Sequence, residues 1–165
     1  MISIEIGKLT ESIREVVSGV RYNTEVTRAR VADIRRLTGT WAFDWQQELA
    51  EREVYKLVSL EIGPTIQGLM SLEYMSDHIY VNLLESHPQN VGRNKKYEGG
   101  PGNLMAYAAR LSLSFGFGGA LCFDAKSELI KHYEKVFGAR RIGNAQRMVI
   151  EEPQAKQLIE QYYGG

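Results

Sequence analysis

The segment Tyr97-Glu98-Gly99-Gly100-Pro101-Gly102-Asn103-Leu104 constrains the fold of this chain more than any other. It opens a helix in which Leu104, Ala108, Leu111 and Phe115 recur at spacings of four, three and four. A glycine-rich turn entering a helix lets several backbone N–H groups converge, and the helix start adds partial positive charge. The natural guest of such a turn is a phosphate. Gly116 to Gly119 end the helix, and Ala120 to Phe123 reads as a short buried strand. The strand–helix–strand order favours a parallel pair joined by a right-handed crossover.

Upstream, the run Glu53 to Leu60, the turn Gly63-Pro64, and the alternating runs around Ile66–Tyr74 and Ile79–Leu83 predict an antiparallel meander. In the last run Ile79, Val81 and Leu83 are expected on one face, and His87-Pro88 stops the strand. Ile2, Ile4 and Ile6 alternate as a half-buried strand. Leu9, Ile13, Val16, Val17 and Val20 fit a helical stripe interrupted by Gly19, although that segment is open to either reading. Thr24 can cap a helix running to about Leu37, with Gly39 as its stop. Both tryptophans lie in the apolar knot Trp41–Trp45, which suits core packing or the wall of a substrate pocket.

After the buried strand, Leu129, Ile130, Tyr133, Val136 and Phe137 mark the inner side of a second helix stopped by Gly138. A closing hairpin (Arg140–Gly143, Arg147–Ile150) and a last helix bearing Ala155, Leu158, Ile159 and Tyr162 follow. That last helix could cover this chain's own sheet or dock on another copy. There are no repeats or linkers, and residues 1–165 are expected to form one domain.

Charge narrows the function classes. Twenty Lys+Arg balance twenty Asp+Glu, so no global field favours nucleic acid or membrane. The basic cluster Arg28, Arg30, Arg35 and Arg36 reads as a solvated helix face, and no nucleic-acid partner is expected. A single cysteine, Cys122, suits a reducing compartment. The N-terminal alternation is unlike a signal peptide and no apolar run approaches membrane-spanning length, so a cytoplasmic location is expected. His78, His87 and His132 lack companions at metal-ligand spacing, so no metal is expected.

The order strand, helical region, three antiparallel strands, glycine turn, helix, strand, helix, hairpin resembles the GNAT superfamily of acetyl-CoA-dependent N-acyltransferases. Gly100 and Gly102 match the two glycines of its Gln/Arg-x-x-Gly-x-Gly/Ala signature. Tyr97 stands where the Gln or Arg would be, Lys95 and Lys96 precede it, and Pro101 lacks an N–H. The run Lys131-His132-Tyr133-Glu134-Lys135-Val136-Phe137-Gly138-Ala139 is similar to the family's Tyr-Glu-Lys-x-Gly-Phe pattern, with one added residue. Many members carry Asn seven residues before that tyrosine; Lys126 stands there.

The resemblance implies a mixed, mostly antiparallel α/β sheet of six to seven strands flanked by helices. A splayed fourth/fifth strand pair and an extra C-terminal helix complete it. It implies acetyl-CoA as co-substrate, held by Leu83, Leu84, Glu85, Lys96, Gly99, Gly100, Gly102, Asn103, Leu104 and Lys126. Tyr133 would be the general acid toward the departing thiolate, and Glu85 the base for the amine, ahead of Glu73, Asp77 and His78 or a water relay. A backbone N–H near Leu83 or Leu84 would polarise the thioester carbonyl. The acceptor would be a small-molecule or protein amine, with Asp44, Glu48, Glu51, Glu53 and Glu73 suiting a cationic one. A homodimer is compatible with this reading, and so is a non-catalytic acyl-CoA-binding or partner-binding module.

Overall fold

The computed structural model describes residues 7–164. The strand expected over Ile2–Ile6 lies outside them. The described residues form a mixed, mostly antiparallel sheet with helices on both faces.

The meander is present as β3 (Glu53–Ser59), β4 (Gly63–Tyr74) and β5 (Ile79–Ser86). Ahead of it, the ambiguous segment after Gly7 forms the strand β1 (Lys8–Glu15), and β2 (Arg21–Arg28) is a strand where a helix from Thr24 was expected. A bulge in β1 explains the ambiguity of its pattern. Leu9 pairs with Thr24 and Ile13 with Tyr22, so four residues of β1 oppose two of β2, around Glu11 with φ of 48°. The four-residue spacing of buried Leu9 and Ile13 therefore mimics a helix. Thr24 does not cap a helix. It lies inside β2 with its hydroxyl 2.6 Å from that of Ser12.

Helices α1 (Val31–Arg35) and α2 (Trp45–Glu51) follow β2. The arginine cluster is thus split between β2 and the short α1 rather than lying along one helix face. The two-residue β6 (Tyr97–Glu98) pairs with Glu15 and Arg14 at the edge of the sheet. Helix α3 (Gly100–Ser114) leads to β7 (Leu121–Asp124). Helix α4 (Ile130–Phe137), β8 (Arg140–Arg141), β9 (Arg147–Ile150) and α5 (Glu152–Tyr163) complete the order.

The sheet order is β6-β1-β2-β3-β4-β5-β7-β9-β8, nine strands among the described residues rather than the six to seven expected. Residues of α3, α4 and α5 share the larger core on one face with Leu9, Ile13, Met70, Ile79 and Val81. Ala155 and Leu158 of α5 belong to that core, so α5 covers this chain's own sheet. Ala29, Trp45, Val54, Ile66 and Leu69 form the second core on the α1–α2 face. No helix of the described residues is long and apolar enough to cross a membrane.

The strands that matter for function are β5 and β7. They run parallel and pair only at Ile79↔Leu121 and Tyr80↔Cys122, then separate.

Candidate functional site

Beyond those two pairs β5 and β7 diverge, and a cleft of 940 Å³ opens between them. Val81 to Ser86 form one wall and Phe123 to Lys126 the other. Helix α4 closes the side with Leu129, His132, Tyr133 and Phe137, while Pro101 and Met105 of α3 and the loop Thr40–Phe43 complete the lining.

The direction of each backbone group on β5 follows from a second bulge. Leu72 pairs with Val81 but Ser71 pairs with Leu83, leaving Asn82 as the extra residue. One inserted residue reverses side-chain parity. Ile79, Val81 and Leu84 accordingly face the larger core, while Leu83 packs on the α1–α2 face. The expectation that Leu83 shares a face with Ile79 and Val81 is corrected by this insertion.

The same reversal sorts the N–H groups. That of Ile79 donates to Ala120 O beside β7 at 3.2 Å, whereas that of Leu83 donates to Ser71 Oγ on β4 at 3.1 Å. His87 N–H donates to Gln67 O on β4 at 2.9 Å. Strand N–H groups alternate between edges, so those of Leu84 and Ser86 point into the cleft, where β7 has moved away. The Leu83 N–H is already used, which leaves Leu84 as the donor aimed at a guest.

The bulge is held from behind by Glu48, a buried side chain on α2. Its Oε1 accepts from Ser71 Oγ at 2.7 Å, Asn82 Nδ2 at 2.8 Å and the Arg52 guanidinium at 3.2 Å. Neither Asn82 nor Glu48 carried a motif; only a bulge-aware pairing of β4 with β5 could have found them.

Tyr133 stands on α4 and lines the cleft. Its ring stacks on Phe137 with centroids 5.5 Å apart and 9° between planes, and meets Phe123 edge-on at 5.5 Å. Burial pushes its phenol pKa up, so the hydroxyl keeps its proton through the neutral range. Lys126 also lines the cleft.

Glu85 lines the cleft but its oxygens are engaged. Oε2 accepts the Ala42 N–H at 2.5 Å; Oε1 accepts the Trp45 indole N–H at 2.7 Å and the Phe43 N–H at 3.2 Å. Little acceptor capacity is left to take a proton from an amine. Of the alternatives, Glu73 lies 3.5 Å from Arg52. Asp77 and His78 pair with each other in the turn before β5, about 25 Å of strand away from Glu85.

Packing within the chain accounts for two glycines of the turn. Gly99 has φ of 103°, and a Cβ there would lie 2.9 Å from Ser12 O, so it permits contact with β1. A Cβ on Gly102 would overlap the hydroxyl end of the Tyr162 ring of α5. Gly99 and Gly102 thus serve packing within the chain. Asn103 is fully buried, its Nδ2 donating to Ser12 O at 2.8 Å and Gly99 O at 2.7 Å. Leu104 is a core residue, and Lys96 Nζ lies on the exposed side over the Tyr97 ring. Of this turn, Pro101 lines the cleft, and no Cβ contact at Gly100 would be closer than 3.7 Å.

The acidic residues expected to attract a cationic acceptor are engaged elsewhere. Asp44 accepts from Gln47 N–H as the α2 cap, Glu51 and Glu73 meet Arg52, and Glu53 meets Arg28 and two tyrosines. None of them, nor Glu48, lines the cleft.

No protein-family profile matches the chain, and no curated protein matches it in sequence. Solved structures do match. The KacTA–DNA complex superposes with a TM-score of 0.60 at 16% identity, covering 84% of this chain and 99% of that chain. AtaTR bound with acetyl-CoA gives a TM-score of 0.57 at 15% identity, covering 82% and 97%. The spermidine N-acetyltransferase SpeG K23-Y30 chimera from Vibrio cholerae and hSSAT gives 0.55 at 14% identity, covering 81% and 98%.

Together with the diverging strand pair, these likenesses show that the chain has the GNAT fold. They also correct one expectation. The blanket exclusion of nucleic acid, drawn from balanced charge, does not hold for this fold, since similar structures include the KacTA–DNA complex and the AtaT–AtaR complex bound to DNA. Net charge is a whole-chain average and does not describe what a local surface or a bound partner contacts.

Proposed function

We propose that this protein is an N-acetyltransferase that uses acetyl-CoA and transfers the acetyl group to a primary amine by direct attack within a ternary complex. The observation that carries this reading is the opening between β5 and β7, with Leu84 on one wall and Tyr133 on the helix that closes its side.

The cleft fits the co-substrate. An extended, amide-bearing arm can lie along the free edge of β5 as an added strand, using the backbone groups of Leu84 and Ser86. Lys126 at the lip and the N–H of Gly100 at the start of α3 suit phosphate oxygens. Acetyl-CoA supplies an acetyl group already activated as a thioester.

The residues of the chain supply the rest. Leu84 N–H stabilises negative charge developing on a carbonyl oxygen. Tyr133, kept protonated by its apolar surroundings, delivers a proton to sulfur as the thiolate departs. Proton removal from the amine falls to water in the cleft, because Glu85 is occupied by the loop. Asn82, Ser71 and Glu48 fix the bulge that aims Leu84.

Release of free thiol from acetyl-CoA in the presence of a panel of small primary amines, spermidine included, tests the reading. Amine-dependent release is expected from the wild type. Absence of release together with absence of acetyl-CoA binding would refute it; binding without release would support the non-catalytic alternative.

A further inference from the structure

Glu85 sits where β5 ends, and the segment it holds is the loop between α1 and α2. The backbone N–H groups of Ala42 and Phe43 in that loop and the indole N–H of Trp45 at the start of α2 converge on its two oxygens. A second fastening lies two residues on, where His87 Nε2 is 3.1 Å from Thr38 Oγ1 and the His87 ring meets Trp41 edge-on at 5.5 Å. Trp41 Nε1–H also donates to Thr38 O at 2.9 Å, which ties the loop to itself. The loop places Trp41 and Phe43 on the cleft, and Phe43 is 40% exposed. One carboxylate and one imidazole therefore hold this wall in place, while aromatic faces form its surface.

We infer that Glu85 is a positioning residue: a carboxylate clamp that fixes the loop Thr38–Asp44 as the acceptor wall of the cleft, so that the amine is received on the faces of Trp41 and Phe43. The inference rests on the transferase reading for the word acceptor, but the clamp itself does not. Charge-assisted bonds to a carboxylate are among the stronger hydrogen bonds, and three of them, two from backbone N–H groups and one from the Trp45 indole, oppose the entropy of an otherwise short, irregular loop. Aromatic faces receive an ammonium by its attraction to the ring quadrupole, or an apolar body by burial.

Of the chain's two tryptophans, Trp41 lies in the loop and the buried Trp45 opens α2 and donates to the clamp, so tryptophan fluorescence reports on the loop and its anchor. In Glu85→Gln, acrylamide quenching should rise at least twofold, while the melting shift produced by acetyl-CoA persists. With 2-phenylethylamine or spermidine as acceptor, KM for the amine should rise about tenfold, kcat should stay within about threefold, and the acidic limb of the pH profile should remain. Trp45→Phe removes one donor and leaves the carboxylate intact; it should raise the same KM by a smaller factor and increase quenching of Trp41. Trp45→Phe also carries the test should Glu85→Gln fail to fold.

Loss of the acidic limb with unchanged amine KM and unchanged quenching would overturn the inference and restore Glu85 as a base. Wild-type behaviour of Trp45→Phe in both quenching and KM would overturn it too. If the wild type releases no thiol with any amine, the transferase reading fails, and the quenching comparison still decides whether the clamp exists.

Discussion

Tyr162 of α5 lies directly on Gly102 of α3, so that a single methyl group on the glycine would overlap the hydroxyl end of the tyrosine ring. The third glycine of the turn is therefore required by a helix sixty residues later in the chain, and burial raises the Tyr162 phenol pKa accordingly. Gly102→Ala should destabilise the protein by about 2 kcal/mol, the scale of overpacking a filled site. In a Tyr162→Ala background the same change should cost less than about 0.5 kcal/mol, because the clash partner is gone. Urea denaturation of the four proteins measures both; equal costs in the two backgrounds would show that the contact does not govern Gly102.

Tyr133→Phe should lower kcat by about 10²-fold, the lower end for a lost general acid, with little change in acetyl-CoA affinity. The pH dependence follows from the direction of the shift. A phenol raised above its ordinary value near 10 stays protonated through the mildly alkaline range, so wild-type kcat should hold to about pH 9. Thiol release as a function of pH checks this, and an unchanged kcat in the variant would remove the proton-donor role.

His87 gives a prediction at the acid side. Its Nδ1 accepts the Gln89 N–H at 3.0 Å, so the proton resides on Nε2 and faces Thr38. Burial lowers its pKa, and the neighbouring cavity presents Asp33, Arg36 and Lys56. A folded-state pKa below the ordinary value of about 6.5 means that the unfolded chain binds more protons as pH falls through that value. The stability contributed by neutral His87 is thus fully present above about pH 6.5 and is lost below it. Melting temperature and tryptophan emission should both fall between pH 7 and 5 in the wild type, and less so in His87→Gln. Parallel curves would show that His87 does not report on the loop.

Glu48→Ala should cost about 2 kcal/mol, since it strips partners from Ser71, Asn82 and the half-buried Arg52 at once. It should also weaken acetyl-CoA binding by loosening the bulge at Asn82, although Glu48 does not line the cleft. A titration by melting shift separates the two effects. Destabilisation with wild-type affinity would mean that the bulge holds without Glu48.

What was legible in the sequence was what is local. Alternation gave the meander, periodicity gave α3, α4 and α5, and the order of elements gave the GNAT resemblance, which the fold sustains. What escaped was set by residues distant in the chain. The bulge at Glu11 gave buried residues of β1 a helical spacing, and the bulge at Asn82 reversed the parity from which Leu83 had been placed. The glycines of the turn could be seen to need small residues, but not that Ser12 and Tyr162 were the reason. Glu85 looked like a free carboxylate at a strand end because its partners lie about forty residues earlier, in a loop without regular structure and at the start of α2.

The central claim is that β5 presents unpaired N–H groups to a thioester-bearing arm in the opening beside β7. Amide chemical shifts along β5, followed while acetyl-CoA is titrated into the ¹⁵N-labelled protein, test it most directly. Leu84 and Ser86 should show the large downfield changes of newly formed hydrogen bonds, with Leu83 and His87, already bonded to β4, much less affected. Saturating acetyl-CoA that leaves Leu84 and Ser86 unmoved, or that moves all four alike, would contradict the account.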